Sequence, residues 1–187
     1  DAKRYDNRHG ITCIAFRPFS VYGVGEHTKG GYANMTSLFT WAMMAGQRPI
    51  VWAPGTQTRD FIYVEDVARA AQMAMENDSL PTTAINLGFG VEHTFLQLIE
   101  MIAQELGVET PEPIWDKVPI QIYATRLWAN TTRAEKLLGF TPKVTLQEGI
   151  RRIIKATREL PSDVQATLGQ CQHYYEKLER REFVPLV

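Results

Sequence analysis

Short apolar runs and amphipathic stretches alternate along the first half of this chain. Residues 11–16 (ITCIAF) are a run of β-formers and predict a buried strand. Residues 33–45 (ANMTSLFTWAMMA) are apolar nearly all round, the pattern of a helix buried on several sides, with Gly46 as its stop. Residues 49–53 (PIVWA) give a short strand, and 61–64 (FIYV) another, directly after a polar loop carrying Arg59 and Asp60. From Val64 the apolar positions 67, 68, 71, 74 and 75 form a helical stripe, and 84–88 (AINLG) reads as the next strand. Thr94 and Gln97 then make a capping box for a helix that buries Phe95, Leu98, Ile99, Ile102 and Leu106 and closes at Gly107. The same grammar recurs. Thr132 with Glu135 opens a short helix stopped by Gly139, and Thr145 with Glu148 opens one carrying Ile150, Ile153 and Ile154. Ser162 with Gln165, after Pro161, opens a last helix predicted to run to about residue 180. Strand–helix alternation followed mainly by helices predicts an α/β fold.

Composition narrows the class. The chain has 187 residues, 44% hydrophobic and 22% charged, which suits one globular domain or slightly more. A net charge of −1 leaves no electrostatic footprint for nucleic acid or an anionic membrane, and neither is an expected partner. Cys13 and Cys171 fit no metal or redox spacing, and the histidines at 9, 27, 93 and 173 lack ligand spacing, so no metal is expected. No apolar run approaches membrane-span length and no signal peptide is seen, which points to the cytoplasm. The sequence opens at Asp1 without Met, and DAKRYDNRHG reads as the last turns and C′ glycine of a helix. The expectation is a piece of a longer protein.

Candidate chemistry concentrates in two places. LGFGVEHTF (87–95) has the strand, Gly88-x-Gly90 and helix of a dinucleotide loop, but His93 stands where the third glycine belongs, so a tight turn is the better reading. Ser20 lacks the Gly-x-Ser-x-Gly context of a nucleophile, and Glu65 and Asp66 suit the first turn of a helix better than acid–base work. The connection 23–31 holds four glycines and Lys29, with Asn34 at the start of the next helix; it reads as a flexible, cationic loop able to meet an anion. Arg59, at the mouth of a neighbouring strand, adds a guanidinium suited to phosphate, with Asp60 placed to orient it.

Four ordered segments then show a family resemblance. ITCIAFRPFSVYGVGE (11–26), GTQTRDFIYVEDVARA (55–70), AINLGFGVEHTFLQLIEMIAQELG (84–107) and ANTTRAEKLLGFTPKVTLQEGIRRII (129–154) resemble the C-terminal half of the extended short-chain dehydrogenase/reductases, the NAD-dependent nucleotide-sugar epimerases and dehydratases. EHTKGGYANM (26–35) is similar to sugar-nucleotide epimerases that include the ADP-heptose 6-epimerases and archaeal UDP-sugar relatives. The resemblance implies the end of a Rossmann-type parallel sheet in 1–23, and in 24–160 a mixed α/β substrate-binding region with returning Rossmann elements near 60–106. A helical extension over 161–187 would follow. It places Phe19 and Ser20 beside NAD, and Ser20 (where the family usually has Asn), Asn34, Trp52 and Arg59 on the nucleotide-sugar substrate, Arg59 pairing with the diphosphate. Asn130 stands for the family's Asp, and Arg126 is out of register with a second phosphate-binding arginine. The family's Tyr-x-x-x-Lys dyad and Gly-rich NAD loop are absent from these residues; Tyr5 has no lysine four positions on. In the family, tyrosinate takes a sugar hydroxyl proton while NAD accepts hydride. The implied activity is transient oxidation of a sugar carbon followed by epimerisation or dehydration, with no catalytic residue in this chain and inactivity alone. The alternative is a stand-alone, non-catalytic nucleotide-sugar binding or assembly module. In it the strand at 11–16 would seek a second copy, and a C-terminal helix carrying Leu168, Tyr174, Tyr175 and Leu178 would cover that edge or form the contact.

Overall fold

The computed structural model describes residues 2–118 and 123–173. Helix α1 (Ala2–His9) ends as the sequence predicts: Gly10 takes a φ of +63° and donates its N–H to the Asp6 carbonyl at 2.8 Å. Strands β1 (Ile14–Pro18) and β2 (Val21–Tyr22) follow, then a 3-10 stretch (Glu26–Tyr32) and helix α2 (Met35–Met44). Next come β3 (Ile50–Trp52), β4 (Thr58–Asp60), β5 (Ile62–Tyr63) and α3 (Val64–Met75). The second half runs β6 (Thr83–Leu87), β7 (Glu92–Thr94), α4 (Phe95–Leu106), β8 (Ile114–Asp116), β9 (Arg126–Leu127), α5 (Thr132–Leu138), α6 (Leu146–Arg158) and α7 (Ser162–Gly169). Among the described residues no helix is long and apolar enough to cross a membrane.

Pairing is mostly parallel and long-range. β1 pairs β6 from Ile14↔Thr83 to Pro18↔Leu87, β2 pairs β5, and β3 pairs β8. β4 lies between β7, antiparallel, and β9, parallel. Parallel strands need crossovers, which the helices supply. β1 starts three residues later than predicted because its ladder begins where β6 begins. It is half-buried rather than buried: Ile14 and Phe16 pack inward while Ala15 and Arg17 are exposed.

Two apolar clusters sit either side of the 61–63 segment. Phe61 and Tyr63 join Tyr22, Phe39 and the buried faces of α4 and α6; Ile62 joins Ile85, Leu87, Leu138 and Phe140. That alternation is the period-2 signature of extended chain. Helix α2 is buried nearly all round, as its composition predicts. The stripe predicted on α3 is rotated: Asp66 and Ala70 face inward with Val67, Met73 and Ala74, while Met75 is 77% exposed. Asp66 accepts hydrogen bonds from the backbone N–H groups of Lys143 and Val144 and from Arg69, so a buried carboxylate holds α3 against the chain entering α6. Its structural reading thus accounts for it.

Two capping predictions hold and two shift. Thr94 with Gln97 forms the full capping box and Thr145 accepts from the Glu148 N–H. Helix α5 starts from Thr131 without a side-chain cap, and Asn130 accepts the Thr132 N–H instead. Helix α7 starts from Pro161, and its Gln165 side chain turns back to the Leu160 carbonyl. The predicted run from Ser162 to about residue 180 is interrupted: α7 ends at Gly169 and a 3-10 turn (Cys171–His173) follows. Gly169 packs where a Cβ would strike Ala45, and Gln172 ties the turn to β3 by accepting the Ile50 N–H. Tyr174, Tyr175 and Leu178 lie outside the described residues.

Candidate functional site: a cavity under β4

Arg59 and Asp60 lie in β4 rather than on a loop rim, because β7 and β9 pair with the segment from both sides. Consecutive strand residues face opposite ways, and this pair does. The Arg59 guanidinium turns into a cavity of about 180 Å³ lined also by Met35, Phe39, Trp52, Phe95, Asp116 and Tyr123. Its carbon lies 5.6 Å from the Phe95 ring centroid and 5.1 Å from that of Tyr123, and Nη1 donates to the Thr58 carbonyl at 2.7 Å. No described carboxylate is ion-paired with it, although Arg59 is only 9% exposed. A cation held by ring faces and one carbonyl retains N–H donors for an anionic ligand.

Asp60 does not orient Arg59. Its carboxylate accepts the N–H groups of Phe89 at 2.7 Å, Gly90 at 3.0 Å and Ala129 at 3.2 Å. Burial pushes its pKa up, and these three donors with nearby His93 oppose that rise. Gly88 has to be glycine, since a Cβ there would strike Asp60 and Ala129. The dinucleotide-like turn at 88–93 is therefore filled from inside: an internal carboxylate takes the backbone N–H groups that a phosphate loop would offer.

The other predicted residues divide. Trp52, on β3, reaches the cavity beside Tyr123, their ring centroids 5.2 Å apart. Asn34 caps α2, accepting the Thr36 N–H at 3.0 Å and donating to the Val21 carbonyl at 3.2 Å; its neighbours Gly31 and Met35 line the cavity. Phe19 and Ser20 occupy the β1–β2 turn, away from those walls. The Phe19 N–H extends the ladder to the Leu87 carbonyl at 2.8 Å, and Ser20 has a φ of +35°, uncommon for a residue with a Cβ.

The connection 23–31 is not the free cationic loop predicted. Glu26, 5% exposed, accepts from Ser37 Oγ at 2.5 Å, the Asn34 N–H at 3.1 Å and Lys29 Nζ at 3.1 Å. Its carboxylate takes the place an anion would fill at the start of α2 and pairs with the loop lysine. Arg126 is likewise committed, bidentate to Glu92 and over the Trp128 ring. Asp116, Tyr123 and Glu26 were missed because their neighbours are distant in sequence or lie in an aperiodic loop. Phe95 was visible only as a helix-face residue.

Among the described residues the glycine turn at 88–90 is not open to a dinucleotide pyrophosphate, because the Phe89 and Gly90 N–H groups go to Asp60.

Comparison with known proteins agrees with this architecture. The model of the NAD dependent epimerase/dehydratase family matches residues 1–88. A Methanocaldococcus jannaschii protein named "Putative UDP-glucose 4-epimerase" is 36% identical over 152 residues, 81% of this chain and 48% of the relative. UDP-glucuronic acid decarboxylase 5 of Arabidopsis thaliana is 31% identical over 146 residues, 78% and 41% of the two chains. The solved structure of UDP-glucose 4-epimerase from Thermotoga maritima with UDP-glucose superposes with a TM-score of 0.76 at 28% identity, covering 84% of this chain and 49% of that one. The chain belongs to the NAD-dependent epimerase/dehydratase family, among the extended short-chain dehydrogenase/reductases. It spans about half the length of the curated relatives it matches.

Proposed function

We propose that this chain is the C-terminal, substrate-binding portion of an NAD-dependent nucleotide-sugar epimerase or dehydratase. The observation that carries the reading is Arg59: a buried guanidinium with no carboxylate partner among the described residues, walled by aromatic rings, in a cavity that also holds Trp52. Such a site suits a diphosphate next to a planar base. Residues 1–23 are the end of the Rossmann-type part, 24–160 mainly the substrate region with Rossmann elements returning near 60–106, and 161–187 a helical extension. Asn34 holds α2 so that the cavity wall is set, and Ser20 and Phe19 border the sugar and NAD.

NAD, when bound, supplies the hydride acceptor; the residues here bind and orient the nucleotide sugar and exclude water around its diphosphate. These 187 residues carry no Tyr-x-x-x-Lys sequence, so they bind and do not turn over on their own. Calorimetry with UDP-glucose, together with an epimerisation assay in added NAD, tests this. Binding without turnover is expected. Turnover by the isolated chain defeats the portion reading, and binding unaffected by Arg59→Ala defeats the site.

A second reading rests on β1, which among the described strands pairs only with β6 and leaves Ala15 and Arg17 exposed. That edge suits pairing with a second copy in a non-catalytic module. Light scattering showing a monomer at all concentrations counts against it.

A further inference from the structure

A second cleft, of about 550 Å³, opens between β1, β6 and α5 and shares no lining residue with the cavity under β4. Its walls carry Arg17 from β1, Asn86 from β6, Asn130 just before α5, and Thr132, Arg133 and Lys136 within it. Three of these six side chains are cations, and none of the described lining residues is a carboxylate. Nor does any of the three form an ion pair with a described carboxylate. Strand pairing sets Arg17 beside Asn86, and Arg133 is fixed by Nη1 donating to the Ala84 carbonyl of β6 at 2.7 Å. A guanidinium held through one nitrogen keeps its other N–H groups for a ligand. Asn130 matters most, because aspartate is the family's residue there. A carboxylate at that place would neutralise part of the cleft; the amide leaves its positive charge whole. Asn130 Oδ1 accepts the Thr132 N–H at 3.1 Å, a bond that aspartate makes equally well, so the start of α5 does not call for an amide.

We propose that this cleft is a second ligand site and that it takes a small phosphate monoester, its phosphate lying among Arg17, Arg133 and Lys136. Two guanidinium forks and an ammonium suit a dianionic group with three terminal oxygens better than a single carboxylate. A volume of about 550 Å³ is more than a free phosphate fills and falls in the range of small-molecule sites. Asn86, Asn130 and Thr132 bring amide and hydroxyl groups to the same walls, the chemistry that suits the polar body of the ester. Arg17, Arg133 and Lys136 are exposed, so the attraction is screened by salt and is strongest at low ionic strength.

Calorimetry with glucose 1-phosphate at low ionic strength tests the site, in an Arg59→Ala background that removes the other cationic cavity. Saturable binding is expected. Asn130→Asp and Arg17→Ala are each expected to weaken it about tenfold or more, the scale of one charge-assisted contact, with thermal melts that match the parent's. Gln104→Glu adds the same charge at an exposed position of α4, outside the cleft, and is expected to leave the affinity unchanged. Inorganic phosphate is expected to bind more weakly than the ester. No saturable binding, or an affinity that neither Asn130→Asp nor Arg17→Ala moves, overturns the site. An equal loss in Gln104→Glu overturns it too, since general charge attraction then accounts for the binding. Inorganic phosphate binding as tightly as glucose 1-phosphate overturns the monoester. Each of these outcomes leaves the Arg59 cavity untouched, because its own test is nucleotide-sugar binding with Arg59 in place.

Discussion

Arg59 and Asp60 are adjacent in β4 and serve opposite faces of it: the guanidinium enters the aromatic cavity and the carboxylate gathers the N–H groups of Phe89, Gly90 and Ala129. Two charges that look like a pair in the sequence are separated by one peptide unit and act independently. Different measurements report on them.

Arg59→Ala is expected to weaken nucleotide-sugar binding by about 1.5–3 kcal/mol, the range of a charge-assisted hydrogen bond. Folding stability should change little, since among the described residues no carboxylate partner is left behind. Calorimetry with parallel thermal melts checks both halves, and an affinity equal to the unaltered protein's removes Arg59 from the site.

Asp60→Ala should act on folding instead. Three buried N–H groups lose their acceptor, and a loss of about 3 kcal/mol or more is expected in urea unfolding. Asp60→Asn keeps one acceptor oxygen and should cost less. A stability within about 0.5 kcal/mol of the parent for Asp60→Ala would contradict the geometry.

Gly149→Ala reverses an ordinary rule. Alanine usually stabilises a helix interior over glycine by roughly 0.5–1 kcal/mol. In α6 the new Cβ would meet the Tyr22 ring and hydroxyl, and Tyr22 is buried with its ring edge-on to Phe61 and Tyr63. A destabilisation of about 1–3 kcal/mol is expected, measured by the denaturation midpoint; a gain in stability would mean the helix can move away.

His93 sets a pH dependence. Its Nδ1 is buried with no hydrogen-bond partner among the described residues, and burial holds its pKa below the ordinary 6.5, with Asp60 pulling the other way. A depressed pKa means the unfolded chain binds the proton more readily, so this contribution is full above pH 6.5 and is lost as pH falls toward the folded value. Asp60 works in the opposite sense, since its raised pKa favours the folded state on acidification. His93→Asn should flatten the decline in stability just below pH 6.5, and an unchanged slope would show that His93 takes up its proton equally in the folded and unfolded states.

Much of the helical framework was legible because its signals are local. The Thr94–Gln97 box, the Thr145 cap, and the glycines at 10, 107 and 139 depend on neighbours within four residues, and the structure has them as read. Asn34 at the start of α2 and the all-round burial of that helix were legible for the same reason. Glu26 was not, because its partners Ser37 and Asn34 are gathered by a loop with no period. Nor was β7, three residues that become a strand only because β4 lies alongside.

The sequence by itself determined an α/β chain, its helix boundaries at the good caps, the family, and Arg59 as a cation suited to phosphate. Tertiary structure decided what the charges face. Arg59 meets Phe95 and Tyr123, Asp60 meets three backbone N–H groups, and Trp52 meets Asp116, each through contacts between segments about thirty to seventy residues apart. Strand pairing and burial choose such partners, and a side chain's type fixes which interactions it can make without fixing which of them it will find.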